Sequence, residues 1–118
     1  MASRRSLLWA AVKIGGLISL LSAGPVFAEQ PSAAQLQEGK ALFTDGAVPA
    51  CSICHTLEAA GSKGTIGPVL DELKPDAALV IKAIKQGVGA MPAYEDKLTE
   101  AQIKTLAAFV SESTGGNR

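Results

Sequence analysis

Every cysteine and histidine in this 118-residue chain falls within five positions, Cys51-Ser52-Ile53-Cys54-His55. Two thiols this close can close only one very tight disulfide loop, so they cannot cross-link a small fold as a multi-disulfide framework does. The chain must find its stability elsewhere. The cluster must act through two sulfurs and an imidazole held close together.

What precedes the cluster sharpens the problem. Arg4 and Arg5 form a short basic head, the apolar run LLWAAVKIGGLISLLSAG follows, and VFA ends at Ala28 before Glu29. Basic head, apolar middle and a small residue at the cut describe a cleaved secretory signal peptide over residues 1–28. An uncleaved anchor would need about 20 continuous apolar residues, and Lys13 interrupts the run. Export with no permanent membrane span is therefore expected.

Cleavage after Ala28 leaves 90 residues, with eight Lys and Arg side chains (Arg4, Arg5 and Lys13 being lost) against all eleven acidic ones. Such a chain has no basic face for phosphates, which excludes a nucleic-acid binder. Its aromatic residues are Phe43, Tyr94 and Phe109. A domain of that size with so few large side chains buries little surface, and a large apolar cofactor would make up the deficit.

Residues 29–33 read as a flexible lead-in. Leu36, Gly39 and Phe43, spaced by three and four, predict a first helix over 34–44, with Asp45-Gly46 as the turn and Pro49 as a stop. After the cysteines, EAAGSKGTIGP shows neither helical nor strand period. Pro75 in a first turn, with Asp76 against the positive helix end, predicts a second helix. It carries Val80, Ala83 and Ile84 on one face and ends at Gly87. GVGAMPAY is a loop. Thr99 and Gln102 form the capping box of a third helix and Leu98 with Ile103 its hydrophobic staple; Ile103, Leu106, Ala107 and Val110 make its stripe. Residues 115–118 read as a flexible tail. No segment alternates with period two. The expectation is one all-α domain over 34–114, with about three main helices and loops too long for so small a fold unless something packs beneath them.

Three chemistries fit two thiols and an imidazole. Structural zinc normally takes four ligands, and a second Cys or His pair is missing. A redox dithiol usually sits at a strand-to-helix junction, and no strands are visible; a plain structural bridge would leave the histidine unexplained. The third is haem. Thiols three apart can add to the vinyl groups of adjacent pyrroles, which holds the next residue, His55, under the iron; C-x-x-C-H is the signature of c-type haem attachment. A second axial ligand would be a methionine, a lysine, an amine terminus or water. Beyond the signal the chain has one methionine, Met91, 36 residues after His55. Methionine commonly fills core gaps, but Met91 lies off any helical stripe, in a loop that Gly87 and Gly89 let bend and Pro92 stiffens. It is the candidate sixth ligand.

With these residues in view, the chain resembles the class I monohaem cytochromes c over residues 34–114. The resemblance rests on Cys51, Cys54 and His55, on GPVL (Gly67 to Leu70), on AMPAY around Met91, and on Gly39 and Phe43 facing Leu106 and Phe109. It implies that the Pro68 carbonyl accepts the imidazole N–H, a bond that fixes the ring and raises its basicity. It also implies that Leu70 and Tyr94 belong to the haem environment, and that the first and last helices cross closely at Gly39. The family often holds a haem propionate with Trp, Tyr or Arg. This chain has no tryptophan past the signal and only Arg118 in its tail, so Tyr94, loop backbone or water is left for that task. The Gly67–Leu70 region, LDELKPDA and the short GVGAMPAY loop are similar, further, to the small cytochrome partners of periplasmic molybdenum sulfite dehydrogenases.

The resemblance implies one covalent haem c with His55 and Met91 as iron ligands. Iron closed on both faces has no position for substrate, and thioether ligation raises its potential. The expected function is a periplasmic single-electron carrier and not an enzyme. Its donor would be a periplasmic dehydrogenase, its acceptor a cytochrome or terminal oxidase, and it would have no small-molecule substrate. The adjacent carboxylates Asp71-Glu72 and Glu95-Asp96 read as solvated faces, and Lys82 and Lys85 as the exposed side of the second helix, serving solubility by default and partner steering as the alternative. Residues 47–50, Ile53, Val88, Ala90 and Pro92 suggest an apolar docking patch. Two alternatives stay open: a haem enzyme or sensor with displaceable Met91, and a haem-free C-x-x-C thiol redox protein.

Overall fold

A computed structural model of the chain describes Gly24 and residues 29–117; apart from Gly24, the expected signal peptide lies outside the described residues. Among the described residues the order is α1 (Ala33–Ala41), α2 (Cys51–Cys54), β1 (Thr56–Leu57), β2 (Ser62–Lys63), α3 (Leu70–Leu73), α4 (Ala77–Gln86) and α5 (Glu100–Thr114). The helical class is as expected.

The lead-in ends sooner than expected. Ser32 caps α1 in a complete capping box with Gln35, its hydroxyl accepting from the Gln35 amide at 3.2 Å. The first helix does not run on to Thr44 as a regular α-helix. It widens into a π turn over Leu42–Gly46, closed by the Ala47 amide donating to the Leu42 carbonyl at 3.0 Å. The wider turn buries Leu42 and Phe43 side by side.

α1 crosses α5 where Gly39 meets Phe109. A Cβ at Gly39 would lie 2.3 Å from the Phe109 Cβ, so the closest approach of the two helices requires glycine. Beside it, Phe43 and Phe109 meet edge to face with centroids 6.2 Å apart, a geometry aromatic pairs favour. α4 packs on α5 from the other side, and Ile84, Ile103, Leu106 and Val110 join the same core.

Two expectations about loops are corrected. The 56–63 stretch is a tiny antiparallel ribbon, Thr56 opposite Lys63 and Leu57 opposite Ser62, and two-residue strands are too short to show alternation. Pro75 is not in the first turn of α4. Asp76 is the N-cap, its carboxylate accepting from the Leu79 amide at 2.7 Å, while Pro75 is buried beneath. The α5 capping box is present as read, and Leu98 and Ile103 are both buried.

The tail is also tied down through Asn117. Gly115 caps α5, and the Gly116 amide donates to the Ser111 carbonyl at 2.8 Å. The Asn117 side chain donates to the Ser111 hydroxyl and accepts from the Ala77 amide. These bonds fasten the end of α5 to the start of α4. No described helix is long and apolar enough to cross a membrane.

Candidate haem-binding site

Between the cysteine segment, the 66–75 stretch, α4 and the 88–94 loop lies a cavity of about 370 Å³, within the range of small-molecule and cofactor sites. Cys51, Cys54, His55, Pro68, Leu70, Met91 and Tyr94 all line it. Seven residues from three separate stretches of sequence thus converge on one space. The floor is apolar, with Phe43, Val80, Ile84, Leu106 and Val110. Ile66, Leu73, Leu79 and Val88 also line it while remaining half or more exposed. A concavity walled by aliphatic side chains and rimmed by thiols suits a flat, largely apolar macrocycle with reactive vinyl edges.

The imidazole is held from two sides. His55 Nδ1 donates to the Pro68 carbonyl at 2.9 Å, which spends one ring nitrogen and leaves Nε2 as the basic one. Gly67 presses on the ring itself, since a Cβ there would lie 2.5 Å from Cε1 and 2.9 Å from Nε2. The segment is locked behind the ring as well. The Gly67 amide donates to the Cys54 carbonyl at 2.8 Å, and the buried Ser62 hydroxyl donates to the His55 carbonyl at 2.9 Å. Neither Gly67 nor Ser62 was singled out as acting on the ring. Glycine before proline was a visible signal, but its contact with His55 is made twelve residues away.

α2 presents both thiols on a single turn, with the His55 amide donating to the Cys51 carbonyl at 3.0 Å. The sulfurs are not bonded to each other. Burial, and secondarily the neighbouring Cys54, push the Cys51 thiol up to about 11. A reactive redox cysteine has a lowered value, so this environment disfavours thiolate exchange. Among the described residues no three His, Cys, Asp or Glu side chains gather around a common point.

The Met91 loop folds as its glycines suggested. Val88 and Met91 exchange amide–carbonyl bonds at 3.1 and 2.9 Å. Gly87 has φ +70°, and a Cβ there would sit 2.6 Å from the Met91 carbonyl oxygen. Both the backbone angle and the close approach demand glycine. Met91 is half-buried against the core.

Three sequence expectations change here. Tyr94 lines the cavity, but its hydroxyl donates to the Pro49 carbonyl at 2.7 Å; having one proton, it has none left for a propionate. Lys85 is not a free steering charge, because it pairs with Glu100 of α5, although Lys82 is exposed. In the suggested docking patch Val48, Ile53 and Val88 are 73%, 59% and 65% exposed. Ala47 is buried, and Ala50 and Pro92 are half-buried in the cavity wall.

Comparison with known proteins agrees with this geometry. The family model described as cytochrome c oxidase, cbb3-type, subunit III, matches residues 34–110. Cytochrome c6 of Chlorolobion braunii is 37% identical over 93 residues, covering 72% of this chain and 98% of its own. Cytochrome c-551 of Halorhodospira halochloris is 27% identical over 74 residues, covering 62% and 94%. The solved structure of the c-type cytochrome SorU from Sinorhizobium meliloti superposes with a TM-score of 0.68 at 43% identity, over 71% of this chain and 95% of that one. With one C-x-x-C-H in a cavity that fits haem, the chain belongs to the cytochrome c family, as a class I monohaem member that carries covalently bound haem c and transfers electrons without being an enzyme.

Proposed function

We propose that this cytochrome is a periplasmic one-electron carrier whose iron is held between His55 and Met91, accepting electrons from a periplasmic dehydrogenase and delivering them to another cytochrome or a terminal oxidase. The haem c supplies the one-electron chemistry. The chain contributes the ligands, a dry apolar wall and a surface by which partners approach. One observation carries the ligand assignment: His55 commits Nδ1 to Pro68 at 2.9 Å in a cavity that Met91 also lines. The carbonyl fixes the imidazole's orientation and leaves Nε2 as the nitrogen available to the iron.

Export rests on the N-terminal sequence, and relatives named cytochrome c6 and c-551 are in keeping with it. A sulfite dehydrogenase is the favoured donor because the Gly67–Leu70 region and the Met91 loop resemble the cytochrome partners of those enzymes. The docking surface is Val48, Ile53 and Val88, exposed beside the cysteines and the Met91 loop.

Absorption spectra of the oxidised and reduced holoprotein test the ligand reading. Sharp low-spin bands, with the weak red band of sulfur bound to ferric iron, are expected, and Met91→Ala should lose the red band and shift the iron toward high spin while the haem stays attached through Cys51 and Cys54. A wild-type protein without that band, or one whose reduced form binds carbon monoxide readily, would refute Met91 as ligand and return the site to an enzyme or sensor.

A further inference from the structure

The cavity's two walls come from distant parts of the chain. One is the 48–55 segment with the cysteines and His55; the other is the 88–98 loop with Met91. Among the described residues, two hydrogen bonds join segment 48–50 to that loop. The Tyr94 hydroxyl donates to the Pro49 carbonyl at 2.7 Å, and Lys97 Nζ donates to the Val48 carbonyl at 3.3 Å. Both accepting carbonyls lie just before α2, whose N-cap, Ala50, makes no side-chain bond of its own.

Tyr94 is unusually well placed to carry tension. Its side chain is buried, 4% exposed, so its hydroxyl cannot exchange the Pro49 bond for water without movement of the loop. Its backbone is fixed as well. The Tyr94 amide donates to the Ile84 carbonyl at 2.8 Å, and the Lys97 and Leu98 amides donate back to the Tyr94 carbonyl at 2.9 and 3.0 Å. Lys97 Nζ lies 5.5 Å from the Tyr94 ring centroid, within cation–π range. The two bonds are therefore parts of one strap, and Met91 lies three residues before it.

We infer that Tyr94, seconded by Lys97, is a positioning residue that holds the Met91 loop against the cysteine wall and so keeps the Met91 sulfur from being displaced by exogenous ligands. The inference rests on Met91 being the sixth ligand. Releasing the sulfur requires the 88–93 loop to swing away from the wall, and that motion breaks the Tyr94–Pro49 bond. The strap sets the closed state and takes no part in electron transfer itself.

Free imidazole titrated into the ferric holoprotein, followed by loss of the red sulfur–iron band, reads the open state directly. Tyr94→Phe keeps the ring and removes only the strap bond, and should tighten apparent imidazole binding about fivefold. Lys97→Met removes the weaker, exposed partner and should tighten it about twofold. Thr114→Val is the control: it deletes a buried hydrogen bond to the Val110 carbonyl, 2.9 Å long, within α5 and in neither wall. It should lower thermal stability without changing imidazole affinity. Unchanged affinity in Tyr94→Phe, or an equal rise in Thr114→Val, overturns the inference while leaving the ligand reading intact. A wild-type protein with no red band at the outset overturns both.

Discussion

Replacing Gly67 by alanine isolates what the hold on His55 is worth. Gly67 does not have a positive φ, so alanine adds no backbone strain and acts only through its methyl group. That carbon would lie 2.5 Å from His55 Cε1, 2.8 Å from Nδ1 and 2.9 Å from Nε2, against an ordinary contact of about 3.5–4.0 Å. Relief therefore needs about 1 Å of movement. Either the ring retreats, or the backbone at 66–68 backs off and takes the Pro68 carbonyl with it. Both motions open the 2.9 Å Nδ1–Pro68 bond, since at about 1 Å longer it is no longer a hydrogen bond. The lost bond costs about 1 kcal/mol and the overpacking about 1–3 kcal/mol. A total of about 2–4 kcal/mol, with a urea slope of about 2 kcal/mol per molar, lowers the unfolding midpoint by about 1–2 M. The potential should rise as well, because an imidazole that has lost its Pro68 acceptor gives less charge to ferric iron. If the whole bond were lost from the ferric form alone, about 1 kcal/mol would be about 40 mV, which is an upper bound. Urea titration followed at the haem bands and potentiometry on the same holoprotein measure both quantities. Wild-type midpoint and potential in Gly67→Ala would refute the argument that Gly67 seats the ring.

Gly87→Ala, at φ +70° and 2.6 Å from the Met91 carbonyl, should keep the haem but weaken or abolish the red sulfur–iron band; an intact band would mean the loop tolerates a left-handed alanine. Gly39→Ala sets about 1 kcal/mol of helix propensity gained against about 1–3 kcal/mol of overpacking on Phe109. Its methyl would meet the Phe109 Cβ at 2.3 Å and the Thr105 carbonyl at 2.9 Å. The net cost centres on about 1 kcal/mol, and at about 4–8 °C per kcal/mol a melting temperature lowered by about 4–8 °C is expected, with calorimetry exposing any gain. Electron transfer through a patch of exposed Val48, Ile53 and Val88, with Lys85 neutralised by Glu100, should change less than about threefold between about 10 and about 150 mM salt. A steep fall in the stopped-flow rate would show that charge, and not apolar contact, governs docking.

What could be read from sequence, and what could not, separates by the range over which each group finds its partner. Thr99 and Gln102 satisfy one another three residues apart, and α5 begins where they do. Ser32 and Gln35 make the same box, equally local, but it stands in a polar run ahead of the apolar face by which the first helix is recognisable. α2 and α3 are single turns, too short for any period to register. The ribbon at 56–63 is shorter still. The cluster of Cys51, Cys54 and His55 was legible because its chemistry is contiguous, and Met91, the one methionine past the expected signal peptide, lines the same cavity. The partner of the Tyr94 hydroxyl was illegible for the opposite reason: its acceptor, Pro49, lies 45 residues earlier, and no pattern in the sequence joins them. The same holds for Asn117, whose partners at Ala77 and Ser111 turn an expected tail into a clasp. The long loops that looked too sparse for a small domain are thus held by hydrogen bonds made across the cavity and across the helix ends. Tyr94 and Lys97 join the cysteine segment to the Met91 loop, and the Ser62 hydroxyl and the Gly67 amide brace the His55 segment from behind, so these loops have partners of their own beside whatever packs beneath them.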